Sequence, residues 1–231
     1  MTSLLELRNV SFGFTTDAEV LSGLELTLEE HERLCVVGAN GAGKSTLLHA
    51  LVGLVKPSSG QVWAFGRSRV TERDFQDVRR AAGLLFQDPD DQLFCPTVAE
   101  DVAFGPLNLG YSKAEASAIV DEVLEELALS HLAERVTYRL SGGEKRLAAL
   151  ACVLAMRPRV LLLDEPSTGL DLDSAERLVG VLKRLPQAMI VVSHDAWLRR
   201  QIATRTVQLV GGQLLAERAL GVVPDRPAVS A

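Results

Sequence analysis

Residues 38 to 45, Gly38-Ala39-Asn40-Gly41-Ala42-Gly43-Lys44-Ser45, spell the pattern G-x-x-x-x-G-K-[ST]. Glycines at these spacings let backbone N–H groups converge on phosphate oxygens, and a helix starting at the lysine adds the positive end of its dipole. Lys44 can then neutralise the β- and γ-phosphates of a nucleotide, while the Ser45 hydroxyl can ligate Mg2+. Gly38 through Ser45, with Thr46 opening the helix behind them, are the nucleotide-binding candidates. The competing reading is an ordinary glycine turn, and the strand and helix on either side of the loop decide against it.

Two further stretches carry complementary chemistry. Val160-Leu161-Leu162-Leu163-Asp164-Glu165 is an apolar run that ends in two carboxylates. A buried parallel strand delivers such residues to the carboxyl edge of its sheet, where ligands bind in open α/β folds. Asp164 is placed there to hold Mg2+, directly or through water, and Glu165 to polarise an attacking water. Leu140-Ser141-Gly142-Gly143-Glu144 reads as a capped helix start whose paired glycines leave the helix tip bare enough to approach an anion. A chain with one complete phosphate loop does not need another for the same nucleotide in the same place. Ser141, Gly142, Gly143 and Glu144 are therefore expected to complete the site of a second, facing subunit.

The elements that must hold these groups are legible as periodicities. Leu5, Leu7 and Val10, then Leu24, Leu26 and Leu28, alternate in period two and predict half-buried antiparallel strands. Leu34 to Val37 is a short apolar strand entering the glycine-rich loop, Thr46 to Val52 carries leucines at helical spacing, and Lys56-Pro57-Ser58-Ser59-Gly60 ends that unit. Gly83 to Phe86 is a further strand, leading into Gln87. From about 88 to 139 the pattern turns helical: Ser112 with Glu115 forms a capping box, and Ile119, Val120, Val123, Leu124 and Leu127 form the buried stripe behind it. Ser141 with Glu144 repeats the start signal before a helix from Lys145 to Met156. Val160 to Leu163 and Ala188 to Val192 are continuous apolar strands, of the kind found in a parallel sheet covered on both faces. Val207 to Leu215, around Gly211-Gly212, predicts a hairpin, and the prolines and small residues beyond Leu220 predict a frayed tail. The expected fold is α/β: a mostly parallel sheet flanked by helices, an N-terminal antiparallel β part, and a helical insertion within one domain spanning about 1–220.

Composition narrows the class. The net charge of −6 argues against a nucleic-acid scaffold, which favours a strongly basic face. No apolar run approaches the ~20 residues needed to cross a bilayer, and the N-terminus lacks the basic segment and apolar core of a signal peptide. Cys35, Cys95 and Cys152 are odd in number and widely spaced, which fits reduced core thiols in a cytosol.

Taken together, these motifs resemble the ABC (ATP-binding-cassette) ATPases over about residues 1 to 216, and the phosphate loop is the P-loop of that family. The resemblance implies ATP and Mg2+ as ligands. It implies that Gln87 is the glutamine that touches metal and attacking water and senses a membrane partner. Leu140 to Glu144 match the family's LSGGQ-type motif, with Glu144 in place of the usual glutamine. Ser167-Thr168-Gly169-Leu170-Asp171 resembles the loop at the dimer contact, with Asp171 its acidic residue, and His194 falls where the family keeps a histidine on the γ-phosphate. Phe14 occupies the place of an aromatic that stacks on adenine, with Phe12 as the rival candidate and a core role open for both.

Phe86-Gln87-Asp88-Pro89-Asp90-Asp91-Gln92-Leu93-Phe94 is similar to the form in energy-coupling-factor importers of cobalt, nickel, biotin and other vitamins, and Thr97 to Gly105 and Leu154 to Met156 continue the likeness. The aspartate cluster also reads as a solvated loop. That resemblance implies a second ATPase subunit, identical or paralogous, a transmembrane coupling subunit, and a small membrane protein that captures substrate, with this chain at the cytoplasmic face of the membrane. An exporter or lipoprotein-release ATPase, and a soluble non-transport member, are the alternative readings.

Overall fold

The computed structural model describes residues 3–15 and 18–216, without the side chains of residues 14, 15, 18 and 19. The expected tail from 221 to 231 lies outside the described residues.

Alternation at the start of the chain produces β1 (Ser3–Thr15) and β2 (Ala18–Glu29), paired antiparallel with Leu7 opposite Leu26. With β4 (Ser59–Ala64) and β5 (Arg67–Arg69) they form a four-stranded antiparallel sheet in the order β2-β1-β4-β5. The segment from Lys56 to Gly60, expected to end the preceding unit, leads into β4 at Ser59. Gly60 has φ 84°, and a Cβ there would stand 2.2 Å from the Asn9 carbonyl oxygen, so only glycine lets β4 approach β1 so closely. Phe12 is 1% exposed in the core beneath this sheet, which removes it as a stacking platform. The Phe14 side chain lies outside the described residues.

The second sheet has the order β10-β9-β3-β8-β7-β6. β3 (Arg33–Val37), β6 (Ala82–Leu85), β7 (Val160–Asp164), β8 (Ala188–Val192) and β9 (Arg205–Val210) run parallel, and β10 (Gln213–Ala216) closes the edge as the second arm of a hairpin. The hairpin turns at Gly211 and Gly212, both at positive φ. Period two decides what each face meets. Leu34, Val36, Val160, Leu162, Ile190 and Val192 join the core under the antiparallel sheet and helix α1 (Lys44–Leu51). Cys35, Leu161, Leu163, Met189 and Val191 join the core shared with the helical segment.

That segment contains α3 (Val98–Asn108) and α4 (Lys113–Glu126), followed by α5 (Gly142–Leu154). Ser112 with Glu115 and Ser141 with Glu144 close the two expected capping boxes, and α5 starts at Gly142 instead of Lys145 because Ser141 is its N-cap. Three helices have no counterpart in the sequence reading: α2 (Glu72–Ala81), α6 (Leu172–Arg184) and α7 (Ala196–Ile202). One of these three carries a capping box that spacing could have shown, Thr71/Asp74 before α2, and a further unread box, Thr97/Glu100, opens α3. Cys35, Cys95 and Cys152 are free thiols, and among the described residues no helix is long and apolar enough to cross a membrane.

Leu162 lies fully buried on the interior strand β7. Leu162→Ala should cost about 2–5 kcal/mol of folding stability, read as a lower urea midpoint with an unchanged denaturant slope.

Candidate active site

β3 leaves the sheet at Val37 and enters the glycine-rich loop, which closes on Gly43 at φ 97°. This left-handed turn aims the chain into α1, and no side chain caps the helix, so its first-turn N–H groups face the loop's own hollow. A Cβ on Gly43 would stand 2.7 Å from Leu21 Cδ2 and 3.0 Å from Val20 Cγ1, so β2 packs directly on the loop. Lys44 is buried, and its Nζ donates to the carbonyls of Gly38 at 2.9 Å and Ala39 at 3.0 Å. The ammonium is thus held over the loop by neutral acceptors that an entering phosphate can outcompete.

The hollow is a cavity of about 610 Å³ lined by Asn40, Gly41, Gly43, Lys44, Ser45 and Thr46 from the loop and helix. Gln87, Asp164, Glu165 and His194 line its other side. Gly38, Ala39 and Ala42 belong to the loop but not to the cavity wall, and the first two supply the carbonyls that hold Lys44. Val20 and Thr168 also line it; the sequence reading places Thr168 only in the loop at the dimer contact and does not include Val20. A valine on a strand carries no signal of its own, whereas Thr168 sits three residues past Glu165 and could have been found from that spacing.

Asp164 is buried at the end of β7, and its Oδ1 has no hydrogen-bond partner. Burial raises its pKa above the usual 3.8, against the opposing pull of a Ser45 hydroxyl hydrogen bond. A buried carboxylate oxygen in a cavity that Ser45 and Gln87 also line offers oxygen donors, which suit a hard cation such as Mg2+. Among the described residues no cluster of three or more His, Cys, Asp or Glu could form a cage. One carboxylate with neutral oxygens is how Mg2+ is held when substrate phosphates supply the rest.

Glu165, the next residue, adopts φ 45°, a left-handed conformation that costs a non-glycine residue about 1 kcal/mol or more. Its N–H donates to the Val192 carbonyl at 2.9 Å, which ties the turn to β8. Glu165 Oε2 lies 2.8 Å from His194 Nδ1, accepts the His194 backbone N–H at 3.3 Å, and accepts the Thr168 hydroxyl at 3.5 Å. The carboxylate is buried and the imidazole mostly exposed toward the cavity. A buried carboxylate beside an exposed imidazole can hold a water and move its proton.

Ser141, Gly142, Gly143 and Glu144 do not line this cavity. The Glu144 carboxylate accepts the Ser141 N–H at 2.8 Å, which holds its pKa below the usual value. Gly142 is open on its outer side, while a Cβ on Gly143 would meet Ser174 Oγ at 2.3 Å. Ser174 in turn donates to Asp171, the N-cap of α6, at 3.0 Å. Asp171 therefore sits beside the helix tip of residues 141–144, outside the cavity.

Known proteins resemble this chain in sequence and in fold. The family described as "ABC transporter" matches residues 21–168. The cobalt import ATP-binding protein CbiO of Rhodobacter capsulatus is 46% identical, over 98% of this chain and 82% of its own length. Among solved structures, CbiO1 of Clostridium perfringens, described as part of the ABC transporter complex CbiONQ, superposes with a TM-score of 0.85 at 30% identity, covering 93% of this chain and 88% of that one. A dimeric ATP-binding cassette in a post-hydrolysis state, bound to ADP and Pi, gives a TM-score of 0.83 at 27% identity, covering 95% of this chain and all of that one. This chain belongs to the ABC transporter family and is one of its ATP-binding, ATP-hydrolysing cassettes.

Proposed function

We propose that the chain is the ATPase of an energy-coupling-factor-type importer, driving uptake of a metal ion such as cobalt or nickel, or of a vitamin such as biotin, from the cytoplasmic face of the membrane. The observation that carries this reading is the split site. One cavity gathers Lys44, Ser45, Gln87, Asp164, Glu165 and His194, while the second phosphate-binding tip, Ser141 to Glu144, points elsewhere on the same chain. Two copies, or this chain and a paralogue, arranged head to tail would bring each tip onto the other's cavity. The dimeric cassette with ADP and Pi supports that arrangement. Residues 1–220 act as one cassette, with the helical part at about 88–139 inserted into it.

In this reading the loop from Gly38 to Thr46 wraps the phosphates and Lys44 exchanges its two carbonyl partners for the β- and γ-oxygens. Mg2+ held by Ser45, Asp164 and Gln87 would supply neutralisation of charge on the β- and γ-phosphate oxygens. Glu165 orients the attacking water and accepts its hydrogen bond, and His194, fixed by its 2.8 Å contact to Glu165, reaches the γ-phosphate side of the cavity. Adenine stacks on Phe14, and Asp171 lies at the contact with the facing subunit.

The likeness to CbiO of Rhodobacter capsulatus and CbiO1 of Clostridium perfringens supports the importer assignment. So does an exposed apolar surface in the stretch that follows Gln87 in the chain. Phe94 is 63% exposed, and its ring meets Phe104 edge-on at 4.8 Å, with Leu107 also exposed on the same helix α3. A transmembrane coupling subunit, assembled with a substrate-capture subunit, would cover it. Co-purification with those membrane subunits, followed by uptake of labelled cobalt, nickel and biotin into vesicles, tests the assignment; ATP-dependent uptake of none of them would refute it.

Glu165→Gln should bind ATP and accumulate as the closed dimer while hydrolysis falls by about 10²–10⁴-fold, measured by steady-state phosphate release and by size-exclusion chromatography with Mg·ATP. Asp164 behaves in the opposite sense for stability. Because its folded-state pKa is raised, its contribution favours the fold below about pH 3.8 and is lost as pH rises through the folded value. Asp164→Asn should therefore raise the Tm of the nucleotide-free chain at neutral pH, with the gain shrinking in acid, and should abolish the further rise in Tm that Mg·ATP gives the parent chain.

A further inference from the structure

The aspartate-rich stretch after Gln87, for which a solvated loop is the alternative reading of the sequence, is fastened to helix α5 by three side chains. Residues Pro89–Asp91 form a single 3-10 turn capped by Asp88, whose carboxylate accepts the Asp90 N–H at 2.9 Å. Lys145, on α5, reaches Asp90 Oδ1 at 2.5 Å. Gln92 bridges: its Oε1 accepts the Phe86 N–H at 3.3 Å and its Nε2 donates to the Ala149 carbonyl of α5 at 3.3 Å. Arg146, also on α5, donates to the Phe86 carbonyl at 2.9 Å and to the Gln87 carbonyl at 2.7 Å.

These bonds mark where the chain changes allegiance. Leu85 is the last residue of β6 in register with β7, opposite Leu163. From Phe86 onward the backbone hydrogen bonds that would continue the sheet go instead to side chains borne by, or tied to, α5. Arg146 is 3% exposed, and its Nε is buried without a hydrogen-bond partner. A buried cation with an unsatisfied N–H is a poor source of stability, and what it secures is geometry.

We propose that Arg146 and Gln92 are positioning residues that fasten Gln87 to helix α5, so that Gln87 and the helix tip Ser141 to Glu144 move as one body. Arg146 stands five residues from Ser141, roughly 7–8 Å along the helix axis, a short and stiff lever. A nucleotide on the facing subunit that engages the tip would thereby move Gln87 in this chain's own cavity, linking the two ATP sites. The proposal rests on the reading of Gln87 and of the two-subunit site given above.

The test is a double-mutant cycle on Mg·ATP turnover by the full chain assembled with its membrane subunits, using Gln87→Ala, Arg146→Lys and both together. Gln87→Ala should lower kcat by at least about tenfold. Arg146→Lys, which keeps the charge but not the two-pronged reach, should lower kcat severalfold and leave KM for ATP within about twofold, because the phosphate loop is untouched. In the Gln87→Ala background the Arg146→Lys effect should vanish, since residues acting through one another are non-additive. Multiplicative losses in the double variant, or no loss in Arg146→Lys, overturn the positioning role while leaving Gln87 in place. An unchanged kcat in Gln87→Ala overturns the reading of Gln87 itself, and the proposal with it. Should Arg146→Lys fail to fold, Gln92→Met, which removes both bridging bonds at a half-buried position, carries the same cycle with the same two outcomes.

Discussion

Four parallel strands hydrogen-bonded side by side, in the order β3-β8-β7-β6, create the site. Because they run in one direction, their carboxyl ends share one edge, and each chain exit delivers a different group to it. β3 delivers the glycine-rich loop and Lys44, and β8 delivers Ser193 and His194. β7 delivers Asp164 and Glu165, and β6 leads through Phe86 to Gln87. An antiparallel arrangement would have split these groups between two edges. The strands can run parallel only because both faces are covered, one by the antiparallel sheet with α1 and the other by the helical segment.

Charge is buried at this edge in forms that the fold alone does not reward. Lys44 is held by two carbonyls, Asp164 keeps an unpartnered oxygen, and Arg146 keeps an unpartnered N–H. Each costs desolvation energy that a ligand, or a fixed geometry, must offset. Glu165 adds a left-handed backbone at the residue that holds His194. Concentrated polar cost of this kind, beside an apolar core, is what distinguishes a working edge from a structural one.

The helical segment contributes differently. Its capping boxes at Thr97, Ser112 and Ser141 fix where each helix begins, and the last of them uses the Glu144 carboxylate to close its own helix start. Gly143 is held against Ser174 and hence against Asp171, so the helix tip and the loop before α6 form one surface away from the cavity. The same helix grips the Phe86–Gln87 backbone through Arg146. One element thus touches both the outward-facing tip and the inward-facing glutamine.

Much of this was written in local pattern. The glycine loop, the apolar run ending in Asp164 and Glu165, and the Ser141/Glu144 box are short-range signals, because loop geometry, strand burial and helix capping are each decided within a few residues. The Gly211-Gly212 hairpin and the antiparallel opening strands were legible for the same reason. Helices α2, α6 and α7 were not read, although side-chain caps at Thr71, Asp171 and Asp195 mark where each begins. What only the tertiary structure decided is which distant groups meet: that Phe12 is sealed in the core, that Val20 lines the cavity, and that Asp88 to Gln92 is fastened to α5. Those outcomes depend on strand order and on helix docking, and no local spacing encodes them, because the contacts join residues dozens of positions apart.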